Sequence, residues 1–119
     1  LAPGIYKYVT REHQLRQVAA GDKRAELAAA ALGQQQIAQG PVSFVFSGVY
    51  ARTAGRYKER AVRYVHMEAG HAAQNICLQA VALGLSSVVM GAFEDARVKS
   101  VIGMPDEEAA LYLVTVGKP

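Results

Sequence analysis

With 119 residues, 51% apolar and 19% charged, the chain has the composition of one globular domain and not of a disordered segment. Its net charge of +3 comes from Lys and Arg scattered among acids, with no basic stripe interleaved with aromatics, which argues against nucleic acid as a partner. The lone Cys77 excludes an internal disulfide and fits a reducing cytoplasm, and Gln74, Asn75, Gln79 and Ser86 interrupt the most apolar windows well short of a membrane span.

Leu1-Ala-Pro-Gly4 is a turn signal. Ile5–Val9 and Gln14–Val18 alternate like half-buried strands around a polar reversal at Thr10–His13, so residues 4–19 read as a hairpin. Gly21-Asp22 offers an N-cap to an alanine-rich helix, Lys23 to Leu32, stopped by Gly33. A short polar segment, Gln34 to Gly40, follows. Val42 to Tyr50 is apolar on both faces and rich in β-formers, and reads as a central strand. Ala51 to Arg60 is a polar loop or short helix.

Ala61 to Gly84 is the dominant element. It holds no proline, and Ala61, Val65, Ala69, Ala72, Ala73, Ile76, Ala80 and Leu83 follow three- and four-residue steps, which predicts one long helix with one apolar stripe. At 1.5 Å per residue that helix is ~36 Å long, so it must run through the middle of so short a chain or lie against a second subunit. Gly70 costs about 1 kcal/mol at an interior helical site, which points to a close approach there. Leu85–Met90 reads as a short buried strand. Gly91-Ala92-Phe93 turns into a helix that opens with Glu94 and Asp95, acids suited to its dipole, and ends near Gly103. Ala110–Val116 is the last strand. The order predicts an α+β sandwich of helices on a mostly antiparallel or mixed sheet.

Chemistry-bearing residues are sparse. His66 and His71 stand about 140° apart on the helix, and with His13 they complete no ligand set, so a metal site is not expected. Glu68, His71, Gln74 and Asn75 share one side of the long helix. They are either polar groups that satisfy one another or, for His71 and Glu68, candidates for proton handling. Arg56, Tyr57, Lys58 and Arg60 make a basic, aromatic lead-in to the helix. The turn at Gly91-Ala92-Phe93 leaves backbone N–H groups free for a ligand acceptor.

GRYKERAVRYVHMEAGHAAQN (Gly55 to Asn75), ALGL (Ala82 to Leu85) and GAFED (Gly91 to Asp95) resemble the nitroreductase family, and within it the SagB-type dehydrogenase branch. The opening PGIYKY and closing LYLVTVGKP extend the resemblance over essentially the whole chain. The resemblance implies an α+β fold that binds FMN at a homodimer interface, accepts hydride from NAD(P)H and passes electrons to a second substrate. It places Gly91 and Ala92 against the flavin ring with Phe93 packed behind. Ala69, Gly70 and Ala73 would be small because subunits meet there. Arg60 and Lys118 are candidates to help hold the cofactor, and Tyr57 and His71 are the candidate catalytic residues.

Two departures qualify the resemblance. The paired-arginine phosphate run and the Pro-Ser-Ala-Gly loop of the family's preceding half do not occur here. The chain is therefore expected to be the C-terminal part of a nitroreductase-like domain, completed by an N-terminal segment or a second chain. The Lys-Tyr pair of the azoline-oxidising branch reads Arg56-Tyr57, and arginine stays protonated where lysine can act as a base. The resemblance thus implies an FMN-dependent oxidoreductase. The alternatives are a non-catalytic dimerising or partner-binding half, or an azoline-to-azole dehydrogenase of peptide maturation.

Overall fold

The alternating stretch at the start folds as expected. In the computed structural model, which describes residues 1–119, β1 (Gly4–Val9) and β2 (Gln14–Ala20) pair antiparallel as a separate two-stranded ribbon. His13 closes its loop at φ 49°, in the left-handed region that histidine tolerates better than branched residues, and its Nδ1 lies 2.7 Å from the Tyr8 hydroxyl.

Helix α1 (Arg24–Ala30) buries Leu27, Ala28 and Ala30. It begins one residue later than Asp22 suggests: Asp22 accepts the Arg24 N–H at 3.0 Å and also grips the Arg24 guanidinium, so the cap acts from just outside the helix. Gly33, at φ 74°, closes it by donating to the Ala28 carbonyl. The polar segment after it is not irregular. It forms the short helix α2 (Gln35–Gln39), because Ile37 is fully buried and pins the turn to the core; one apolar residue among glutamines leaves no period to read.

β3 (Val42–Gly48) stops two residues short of Tyr50, and Tyr50–Tyr57 is helix α3, followed by a 3₁₀ turn at Lys58–Arg60. The long helix α4 covers Ala61–Ala82, about 33 Å at 1.5 Å per residue, in a molecule measuring 41 × 31 × 31 Å. Gly84 at φ 69° terminates it, with the Leu85 N–H returning to the Ala80 carbonyl. β4 (Ser86–Met90), α5 (Asp95–Ile102) and β5 (Ala109–Gly117) complete the chain, and Gly103 caps α5 in the left-handed conformation.

The main sheet has the order β3-β5-β4, and every pair in it is antiparallel. This corrects the reading of β3 as a central strand. β5 is central, with Leu113 to Val116 all buried, whereas β3 lies at the edge with Val42 and Phe44 exposed. β5 earns the middle place by being apolar toward both layers. On one face Leu113 and Met90 pack with Leu27, Ile37 and Val98 of α1, α2 and α5. On the other, Val114 and Val116 pack with Ala73 and Ala80 of α4.

The helical stripe foreseen on α4 is the face laid on the sheet, with Ala61, Ala73 and Ala80 buried. Ala73 is therefore small because β5 lies beneath it, a correction to its expected place at a subunit contact. Away from the sheet the helix carries Met67, Leu78 and Val81, with Gly70 half-buried on the flank between the two faces. A Cβ built at Gly70 meets nothing within 4 Å, and Leu78 and Val81 are 60% and 72% exposed. No helix is long and apolar enough to cross a membrane.

Candidate functional site

Antiparallel pairing brings the functional candidates to one end of the sheet. Gly48 at the end of β3 pairs with Ala109 at the start of β5, and Met90 at the end of β4 pairs with Leu113. β3 therefore finishes where β5 begins, and β4 runs toward the same end but stops opposite the middle of β5. A register shift between Phe46 and Ser47 leaves Leu111 as the extra residue on β5, a bulge of the kind common beside functional sites. The turn Gly91-Ala92-Phe93 leaves β4 at this end, and the Tyr112 ring stands where a Cβ on Gly91 would make ordinary contact, at 3.7 Å. Phe46, the strand partner of Tyr112, leads into a groove of about 770 Å³ between β3, α3 and α4.

The groove is lined by Phe46, Ser47, Arg52, Thr53, Tyr57, Tyr64, Glu68, Ala69 and Leu111, among others. Its floor is apolar and its rim carries one cation, one acid and two phenols. Tyr57 and Tyr64 meet edge to face with centroids 5.0 Å apart, and the Arg56 guanidinium sits 5.5 Å from the Tyr57 ring centroid. The Tyr57 side chain is thus held by packing while the residue remains 45% exposed. Gly48 is needed close by: a Cβ there would stand 2.7 Å from Leu111 Cδ1 and 2.9 Å from Val65 Cγ1.

At the turn, the backbone N–H groups of Gly91, Ala92 and Phe93 donate to no backbone acceptor of the chain. The carbonyl of Ala92 accepts from Gln34 Nε2 at 2.8 Å, and the Glu94 N–H donates to the Ala30 carbonyl at 2.9 Å. Phe93 packs into the core shared by α1 and α5. A flat ring with carbonyl and imine acceptors fits a turn of this kind, because the donors are exposed and the aromatic side chain faces inward.

The other candidates lie apart. His71 is exposed on α4, hydrogen-bonds to nothing in the chain and does not line the groove; of its polar neighbours on the helix, only Glu68 reaches it. Arg60 belongs to a separate shallow hollow of about 830 Å³ with Arg63 and His66, outside the first turns of α4. Lys118 follows the far end of β5, five residues beyond Leu113 or ~17 Å along the strand, so Lys118 and the turn are not brought together within this chain. No three His, Cys, Asp or Glu side chains converge on a point that could hold a metal.

Two features went unread in the sequence. Glu108 links three elements: Ser47 donates to Oε2 at 2.7 Å, and Lys7 of β1 donates to Oε1 at 3.2 Å. The Ser47 hydrogen bond, with Lys7 and the nearby Arg52 charge adding to it, holds the Glu108 carboxyl below its ordinary pKa despite partial burial. In the sequence it is one acid of a short run. His66, not His71, has a partner, with Nε2 2.7 Å from the Tyr50 hydroxyl; sixteen residues separate the two, beyond any helical spacing rule.

Residues 5–118 match the Nitroreductase family. MJ1384 of Methanocaldococcus jannaschii, whose name carries the word nitroreductase, is 40% identical over 97% of this chain and 57% of its own length. TfxC, a trifolitoxin operon protein of Rhizobium leguminosarum bv. trifolii, is 30% identical over 98% of this chain and 33% of its own. The chain thus spans little more than half, or a third, of these relatives. Among solved structures, a protein from Anabaena variabilis described as a nitroreductase superposes with a TM-score of 0.94 at 34% identity, over 100% of this chain and 24% of that one. The NADPH:FMN oxidoreductase of Vibrio harveyi, solved with NAD+, superposes with a TM-score of 0.70 at 28% identity, over 82% of this chain and 46% of its own. The sandwich around one long helix and the family match over residues 5–118 agree, and the chain belongs to the nitroreductase family.

Proposed function

We propose that this chain forms part of an FMN-dependent oxidoreductase of the SagB-like type, with the Gly91–Phe93 turn facing the flavin ring and the adjoining groove receiving the electron acceptor. The observation that carries the reading is the run of three unpartnered backbone donors at the sheet end where the groove opens. The likeness to an NADPH:FMN oxidoreductase supports the choice of cofactor and of NAD(P)H as donor. When bound, the flavin would supply two-electron chemistry between NAD(P)H and the acceptor, which the protein's own side chains cannot.

The chain's residues would do the rest. Gly91 and Ala92 would approach the ring by backbone alone, and Phe93 would fix the turn from behind. Tyr57 would hydrogen-bond the acceptor or handle its proton from the groove wall. A phosphate needs cationic partners, and neither Arg60 nor Lys118 lies at the turn, so the phosphate end would be held by groups outside residues 1–119 or by a second copy. The outward face of α4, with Met67, Leu78 and Val81 exposed and Gly70 open, supports a partner there. His71 would reach an acceptor only across such an interface.

A second reading, azoline oxidation on a peptide, rests on the resemblance to the azoline-oxidising branch at Arg56-Tyr57, beside the similarity to a trifolitoxin operon protein. It keeps Tyr57 but loses the lysine base, since residue 56 is an arginine, which stays protonated, and it sits 5.5 Å from the Tyr57 ring centroid. Purifying the full-length protein and titrating FMN tests the leading reading. Flavin binding with NAD(P)H oxidation is the expected result. Failure to bind added FMN overturns it in favour of a non-catalytic, partner-binding half.

A further inference from the structure

The peptide plane between Ala92 and Phe93 is controlled from a different part of the chain. Gln34, between α1 and α2, places both N–H groups of its side-chain amide on backbone carbonyls: Ala31 at 2.9 Å and Ala92 at 2.8 Å. Ala31 is fully buried, so the first bond anchors the amide to a fixed point of the core. One residue later, the Glu94 N–H donates to the Ala30 carbonyl at 2.9 Å. The end of α1 therefore holds the turn at two successive peptide groups.

The geometry of a trans peptide gives these bonds a directional consequence. The carbonyl of Ala92 and the N–H of Phe93 belong to one plane and point in opposite directions. Drawing that carbonyl toward Gln34 sets the Phe93 N–H away from α1, on the open side of the turn. In the next plane the Glu94 N–H faces Ala30, which sends the Phe93 carbonyl away from α1. Without the Gln34 bond, the 92–93 plane can rotate and the carbonyl can swing to where a ligand's acceptor atoms would lie. An oxygen there repels an acceptor that an N–H would bind.

We propose that Gln34 is the positioning residue of the Gly91–Phe93 turn, orienting the 92–93 peptide so that its N–H is presented to the acceptor atoms of the flavin ring. Gln34 acts through the backbone and does not itself touch the cofactor. The inference rests on the flavin reading for its ligand, but the orientation of the peptide is a property of the chain and is measured without flavin.

The test compares the full-length protein with Gln34→Met, near in size and without donors, Gln34→Asn, one methylene too short, and Gln34→Lys, which restores a donor. In the flavin-free protein, ¹⁵N relaxation should give Phe93 an order parameter near the rigid ~0.85 in the wild type and well below it, toward ~0.6, in the Met and Asn variants. Exchange of the Glu94 amide should rise about tenfold in both, the equivalent of one weakened hydrogen bond. FMN binding should weaken by about tenfold with them and recover with Gln34→Lys. Agreement of either truncated variant with this pattern supports the proposal. An unchanged Phe93 order parameter and Glu94 exchange rate in both the Met and the Asn variant overturns it. If the wild type itself fails to bind FMN, the flavin reading falls and with it the ligand assigned here, while the amide measurements still decide whether Gln34 fixes the turn.

Discussion

Ser47 Oγ lies 2.7 Å from Glu108 Oε2, joining the last part of an edge strand to the loop that precedes the central one. The other carboxylate oxygen takes Lys7 from the separate β1–β2 ribbon, and Glu108 is only 15% exposed at its side chain. An isolated two-stranded ribbon is marginal in water, and the Lys7–Glu108 pair, with its exposed lysine, is one link that ties it to the body.

Because its folded-state pKa is lowered from 4.5, ionised Glu108 stabilises the fold above that value, and the contribution is lost as pH falls through the lowered folded value. Glu108→Gln should cost about 1 kcal/mol at pH 7 and less at a pH below the lowered folded value. Urea denaturation at the two pH values checks this. An equal loss at both would show that Glu108 acts by packing and not by charge.

Two glycines should respond in opposite directions. A Cβ at Gly40 would collide with Thr115 Cγ2 and come within 2.9 Å of the Gln36 carbonyl, so Gly40→Ala should destabilise by about 2 kcal/mol or more. Gly70→Ala meets only open space and should stabilise the isolated chain by about 0.5–1 kcal/mol. If a second chain packs on that face of α4, the same change should weaken association, seen as a higher dissociation constant by sedimentation. Stabilisation without any change in association would remove Gly70 from the interface.

Ile37 is fully buried under the sheet and anchors α2, so Ile37→Ala should cost about 2–5 kcal/mol in urea unfolding. A smaller cost would mean that α2 is held by its neighbours instead.

Tyr57→Phe keeps the edge contact with Tyr64 and deletes the hydroxyl. Under the proposed flavin chemistry, reoxidation by the acceptor should slow by about a hundredfold, while reduction by NAD(P)H is unchanged. Stopped-flow measurement of the two half-reactions checks this. Equal slowing of both would place Tyr57 elsewhere in the cycle.

Much of this architecture is written in local chemistry. The hairpin follows from alternation at Ile5–Val9, and α4 from its alanine-rich stripe; Gly33, Gly84 and Gly103 mark helix ends by their tolerance of positive φ. The position of the turn at Gly91 is local too, marked by a strand, a glycine and an acid-led helix, although the orientation of its 92–93 peptide is set from Gln34. What local patterns do not encode is which elements become neighbours. β3 and β5 are similarly apolar, and only packing on both faces makes β5 central. Gln34 and Ala92 are 58 residues apart, Ser47 and Glu108 are 61 apart, and neither pair leaves a trace in spacing. His71 shares a helix side with Glu68, Gln74 and Asn75, yet His66 is the histidine with a partner, because α3 folds back along α4 and delivers Tyr50 to it.

Amide exchange of the Gly91–Phe93 segment in the full-length protein, with and without FMN, tests the account most directly. These donors have no backbone partner within the chain, so they should exchange fast alone and at least about tenfold more slowly once the ring accepts from them. Tight FMN binding with no change in exchange at these three amides would contradict it, because the cofactor would then sit somewhere else.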